Sequence, residues 1–192
     1  MTRRRVVHLL LRTIKLRFLF AFYFLVCCLA SPSFADAGPE SGLLKDIPLD
    51  EAIRIGTGSK AVIEISDPDC RFSRRMARYW DMRKDVTRYI FLIALKNHPE
   101  AAQKVRYILC ASDKAAAYRE AFSGGLDFGE NLDGQCNDHG LPDKHGKMAA
   151  KLGVIGTPTY FVRGVRVDGA KVKEIERILG GEKFPFDTGD PE

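Results

Sequence analysis

Residues 61–73 read AVIEISDPDCRFS, and this stretch decides the fold. Residues 61–66 are rich in β-branched side chains and are bounded by Lys60 and by Asp67-Pro68, so they read as a buried strand. From Asp69 onward Phe72, Met76, Tyr79 and Trp80 recur at helical spacing. Cys70 therefore follows a strand through a short turn and sits at or next to the first residue of a helix. There, unpaired backbone amides and the positive end of the helix dipole favour thiolate over thiol. Arg71, Arg74 and Arg75 act in the same direction, while Asp67 and Asp69 oppose it unless they turn to water. A structural, buried cysteine is the alternative. The carboxyl end of a strand, where α/β sites form, favours a reactive one.

Outward from this stretch the pattern stays mixed. Residues 50–55 read as one or two helical turns, and residues 56–59 (GTGS) as a turn. Residues 87–95 (TRYIFLIAL) form a second strong strand. Helical stretches follow at about 99–110, 113–122 and 144–152, interrupted by a Gly/Asp/Asn-rich loop at 123–137. Gly156-Thr157-Pro158 precedes a hairpin, with strands at 159–162 and 165–167, and a helix at 171–179. The order implies an α/β domain with a helical insertion.

The N-terminus carries the chain's charge imbalance. The 192 residues include 30 basic and 25 acidic ones, net +5. Six of the basic residues precede residue 18, and no acid accompanies them. Thirteen apolar residues (18–30) and a Ser31-Pro32-Ser33-Phe34-Ala35-Asp36-Ala37 segment complete the parts of a secretory signal peptide, cleaved after Ala35 or Ala37. An uncleaved anchor is the rival, but thirteen helical residues span about 20 Å of a roughly 30 Å hydrocarbon core. Residues 38–192 hold 24 basic and 24 acidic residues, so no electrostatic footprint for nucleic acid remains. Membrane association is expected only through the signal segment. Residues 38–58 read as a leader, 59–180 as the domain with its insertion at about 97–153, and 181–192 as a flexible tail.

Cys27 and Cys28 lie within the signal, leaving Cys70, Cys110 and Cys136. An exported chain meets oxidising conditions, and an odd count leaves one thiol reactive or intermolecular. Pairing of Cys70 with either partner stays open at this level. So does a zinc set of Cys110, Cys136, His139 and His145, although no closely spaced Cys pair supports it. No other cofactor is indicated. His98, His139 and His145 read as solvated or loop residues.

The ordered combination of Asp67-x-x-Cys70-x-x-Ser73, Cys110-Ala111-Ser112-Asp113-Lys114 and Gly156-Thr157-Pro158-Thr159 resembles the thioredoxin superfamily, and within it the periplasmic disulfide-bond isomerases of the DsbC and DsbG group. The resemblance runs from about residue 61 to 179. It implies a thioredoxin-like fold with a helical insertion between the 87–95 strand and a cis-proline loop at Pro158. It further implies a structural disulfide between Cys110 and Cys136, which leaves Cys70 free. Closing that loop would contribute roughly 3–4 kcal/mol. Thr157 would orient an extended substrate strand, and Pro158 would shield the sulfur.

The chain departs from the family at two places. Ser73 stands where the family has its second active-site cysteine, so Cys70 has no intramolecular resolving thiol. The family's N-terminal dimerisation domain has no counterpart between residue 37 and the first strand, so a monomer is expected. These features imply a periplasmic protein of a Gram-negative bacterium that exchanges disulfides through one sulfur. Its partners would be exported client proteins with cysteines and an external thiol reductant. A client-binding or assembly factor without turnover is the competing reading. A one-cysteine peroxidase fits less well, because Pro68 lies only two residues before Cys70.

Overall fold

The computed structural model describes residues 45–127, 132 and 136–180. The expected signal peptide at 1–37, most of the 38–58 leader's first half and the 181–192 tail lie outside the described residues. No helix among the described residues is long and apolar enough to cross a membrane.

The first strand is β1 (Ile53–Ile55). This corrects the helical reading of residues 50–55. Ile53 and Ile55 are buried and Arg54 is exposed, an alternation that edge pairing stabilises better than an isolated helical turn would. Next come β2 (Lys60–Ser66), α1 (Arg71–Met82) and β3 (Val86–Leu92). The β1–β2 turn packs so closely that a Cβ at Gly58 would overlap the Asp85 backbone, which is why glycine stands there. The insertion is built from α2 (Ala101–Cys110), α3 (Lys114–Ser123) and α4 (Leu141–Lys151). The chain then forms β4 (Thr159–Val162), β5 (Val165–Asp168) and α5 (Val172–Leu179).

The five strands lie in the order β1-β3-β2-β4-β5. β2 and β3 are parallel, joined through α1; β1 pairs antiparallel with β3, and β4 with both β2 and β5. Period-two alternation sorts the side chains. Val62, Val86, Tyr160 and Val162 meet Met76, Tyr79 and Trp80 of α1 and Ile175 and Leu179 of α5. Ile65, Phe91 and Phe161 point the other way, onto Met148, Ala149 and Leu152 of α4. Ile53, Ile90 and Leu92 pack with Val105, Ile108, Tyr118 and Phe122 of the insertion. With both faces covered, the two parallel strands bury mostly apolar side chains.

Two charged residues break that rule on one face of the sheet. Glu64 of β2 and Arg88 of β3 are buried and paired at 2.9 Å, and Tyr118 donates to Glu64 at 3.3 Å. His145 is buried as well, against the expectation of a solvated residue. Its Nδ1 accepts from the Leu92 amide and its Nε2 lies 3.0 Å from the Glu51 carbonyl, which fixes a neutral tautomer. Burial is the main cause that holds the His145 pKa below its ordinary value of 6.5. α4 thus carries a polar residue on its inner face that ties the insertion to β3.

Candidate active site

Cys70 is the N-cap of α1, where the Asp67-Pro68-Asp69 turn ends. Its own amide donates to Asp67 O, and its carbonyl accepts from Arg74, so the turn and the first helical bond fix the residue from both sides. It retains 6% of its accessible surface. Its thiol donates to the carbonyl oxygen of Thr157 at 3.2 Å, and makes no capping bond to the first-turn amides of α1. The sulfur is therefore partnered differently from the expectation. A protonated thiol has a hydrogen to give, and the nearby carbonyl takes it.

The Thr157–Pro158 peptide bond is cis. Pro158 O accepts from Gly169, and the Thr159 hydroxyl bonds to Gly156 O and Asp168, so the loop is held to the β4–β5 hairpin on both sides of the proline. A cleft of about 350 Å³ runs along this loop. Ile155 at its rim is 93% exposed, and Phe72, two residues after Cys70, is 42% exposed with the Arg71 guanidinium 4.6 Å above its ring. Ser73 is fully buried one turn into α1, with its hydroxyl lacking a hydrogen-bond partner among the described residues, and the Thr157 hydroxyl is equally unpartnered. The structure thus brings Cys70 to Thr157, leaves Pro158 beside it, and puts Ser73 inside the helix face rather than at the surface.

Cys110 and Cys136 form a disulfide with a Cα–Cα separation of 5.9 Å. Cys70 is the free cysteine among the described residues. The zinc set does not assemble: two of its sulfurs are bonded to each other and both ring nitrogens of His145 are engaged.

Sequence reasoning placed Asp67 and Asp69 at the turn but missed the partners that hold them. Asp67 does not turn to water. It is fully buried and accepts from the amides of Asp69 and Leu95 at 2.7 Å, with the His98 ring at 3.0 Å. Asp69 likewise joins Arg74 (2.9 Å) and Lys104 (2.6 Å), and Asp127 joins the same two cations. The Arg74 Nε also donates to the Pro68 carbonyl. Its hydrogen bond to Arg74 is the main reason the Asp127 carboxyl is held below the usual range, while partial burial works against that. Burial would lower the Lys104 ammonium, but Asp127 and Asp69 outweigh it and raise it. This four-residue cluster clamps the Cys70 turn to α2 and to the segment after α3. Its members lie up to 58 positions apart in sequence, which is why no local motif announces it.

No protein-family model matches the chain. Among curated proteins, the probable thiol:disulfide interchange protein DsbC of Bordetella pertussis is 30% identical over 129 residues, covering 66% of this chain and 44% of that protein. The chain thus spans less than half the length of the curated relatives it matches. Among solved structures, a disulfide interchange protein from Neisseria gonorrhoeae superposes with a TM-score of 0.60 at 28% identity, covering 69% of this chain and 96% of that one. The catalytic domain of Proteus mirabilis ScsC shares the fold, with a TM-score of 0.56 at 15% identity over 67% of this chain and 87% of that one. The fold is thioredoxin-like with a helical insertion, and over about two thirds of its length the chain is similar to the DsbC-type thiol:disulfide interchange proteins.

Proposed function

We propose that this chain is an exported thiol–disulfide exchange protein that works as a monomer in the periplasm through Cys70 alone. The observation that carries the reading is the division of its sulfurs: Cys110 and Cys136 hold each other, Cys70 is free, and a buried serine occupies position 73. The Cys70 thiolate attacks one sulfur of a client disulfide. A Cys70–client mixed disulfide forms, and the displaced client sulfur leaves as a thiolate that takes up a proton. A second client thiol can then displace Cys70, which rearranges the client's disulfides with no net change in electrons. Alternatively, an external thiol attacks the Cys70 sulfur and the client leaves as a reduced thiol, after which a second external thiol displaces Cys70 and the two external thiols leave joined as a disulfide.

Loss of the Cys70 proton also removes the donor from Thr157 O. That carbonyl is then free to accept from an extended client backbone, which gives the cis-proline loop its binding role. Ile155 and Phe72 supply exposed apolar surface for such a segment.

The limited exposure of Cys70 favours one second reading, a client-binding factor that uses the same loop without turnover. Cys70→Ala separates the two. Loss of disulfide reduction and scrambled-substrate rearrangement supports exchange chemistry. Unchanged complementation in vivo by Cys70→Ala supports the binder.

A further inference from the structure

α1 has Cys70 at one end, and a separate cavity lies at the other, about 18 Å away along the helix axis. The cavity holds about 380 Å³, within the range of small-molecule sites. Trp80, Asp81 and Lys84 border it on one side, Arg88 of β3 lies among its walls, and Arg119 reaches it from α3.

Arg88 is the unusual member. Its side chain is only 4% exposed. Its Nη1 donates to Glu64 at 2.9 Å and to the Tyr118 hydroxyl at 3.1 Å. Among the described residues the Nε and Nη2 atoms make no hydrogen bond, yet they are not among the buried polar atoms left without a partner. Part of the small surface Arg88 retains therefore lies on that edge, and the residue lines the cavity. The Nε–Nη2 edge is the side-on fork of a guanidinium, the geometry that matches two oxygens of a carboxylate or phosphate. Glu64 and Tyr118 hold the guanidinium plane from the far side, so the fork is oriented before any ligand arrives.

The surrounding charge favours an anion. Arg83 is committed to Asp85 and Glu176, and the Arg88 charge is balanced by Glu64. Lys84, whose ammonium donates to Asp81 O, and exposed Arg119 remain, against the single carboxylate of Asp81. We propose that this cavity binds a small oxyanion, gripped side-on by Arg88 and neutralised by Lys84 and Arg119, at a site separate from Cys70.

Trp80 is the only tryptophan of the sequence and borders the cavity, so its emission reports occupancy directly. The full chain is titrated with inorganic phosphate and with succinate at constant ionic strength, with chloride as the control. The expected result is a saturable emission change with a Kd of about 1 mM or tighter for at least one of the two. The tighter one identifies a tetrahedral or a planar ligand. The K84Q/R119Q variant, altered only at the exposed rim, should weaken binding by about tenfold or more with an unchanged melting temperature. Arg88→Lys, which retains charge but loses the fork, should do the same where it folds. Cys70→Ser should bind as the unaltered chain does. A non-saturating response equal to that of chloride, an unchanged Kd in K84Q/R119Q, or loss of binding in Cys70→Ser would overturn the proposal.

Discussion

The Cys70 thiol donates to the Thr157 carbonyl across 87 positions of sequence, at 3.2 Å. This bond joins the two segments that carry the site, the start of α1 and the cis-proline loop. It also places a hydrogen-bonding backbone group beside the reacting sulfur.

Ser73 tests whether the missing second thiol governs the chemistry. Its side chain is buried and its hydroxyl has no hydrogen-bond partner among the described residues, so Ser73→Cys replaces one small group by another and sacrifices no bond. Oxidation of that variant should join the Cys70 sulfur to the introduced sulfur at position 73, seen as a loss of two hydrogens by mass, and client adducts should become short-lived. The unaltered chain should show neither change.

The buried pair of Glu64 and Arg88 should be costly to break singly. Removing one partner strands a charge among Trp80, Tyr118 and Tyr160, so Glu64→Leu should lower unfolding stability in urea by about 3–5 kcal/mol. The double variant Glu64→Leu/Arg88→Met should recover most of that loss.

Stability should fall with acid in a window set by His145. Burial depresses its pKa in the folded chain, so below its ordinary value of 6.5 the unfolded chain takes up a proton that the folded chain refuses. The stabilisation is full above that value and is lost as pH falls through the folded pKa. Melting temperature measured from neutral pH downward should decline in this interval, and His145→Gln should flatten the decline while lowering stability throughout.

The ion cluster should be felt at the active site. Asp127→Asn removes charge from hydrogen bonds to both Arg74 and Lys104, a loss of about 1.5–3 kcal/mol for bonds to charged groups. The same cations hold Asp69, the residue before Cys70, so the rate of Cys70 alkylation should change as well. Asp113→Asn, at the α3 N-cap, should leave that rate alone.

Much of this was legible in the sequence because it is local. The AVIEIS strand, the helix behind Cys70, the 159–162 strand and the hairpin each declare themselves by periodicity and turn residues within about ten positions. Residues 53–55 did not, since three residues carry little periodicity and gain their stability only by pairing with β3. Glu64 and Arg88 show as isolated charges in apolar strands. Their partnership depends on the β2–β3 register, in which Val62 and not Glu64 is the direct neighbour of Arg88. Asp67, His98, His145 and Asp127 were opaque for the same reason, because their partners arrive through tertiary contact. The resemblance supplied what spacing could not, the pairing of Cys110 with Cys136 and the conformation at Pro158.

The sharpest test of a single-sulfur mechanism is mass analysis of the reduced chain mixed with a disulfide-bearing client and quenched by acid. A mixed disulfide on Cys70 should accumulate, disappear on adding an external thiol, and be absent in Cys70→Ala. Client disulfides that are reduced or rearranged with Cys70 unmodified throughout, or with Cys110 or Cys136 carrying the adduct, would contradict that mechanism.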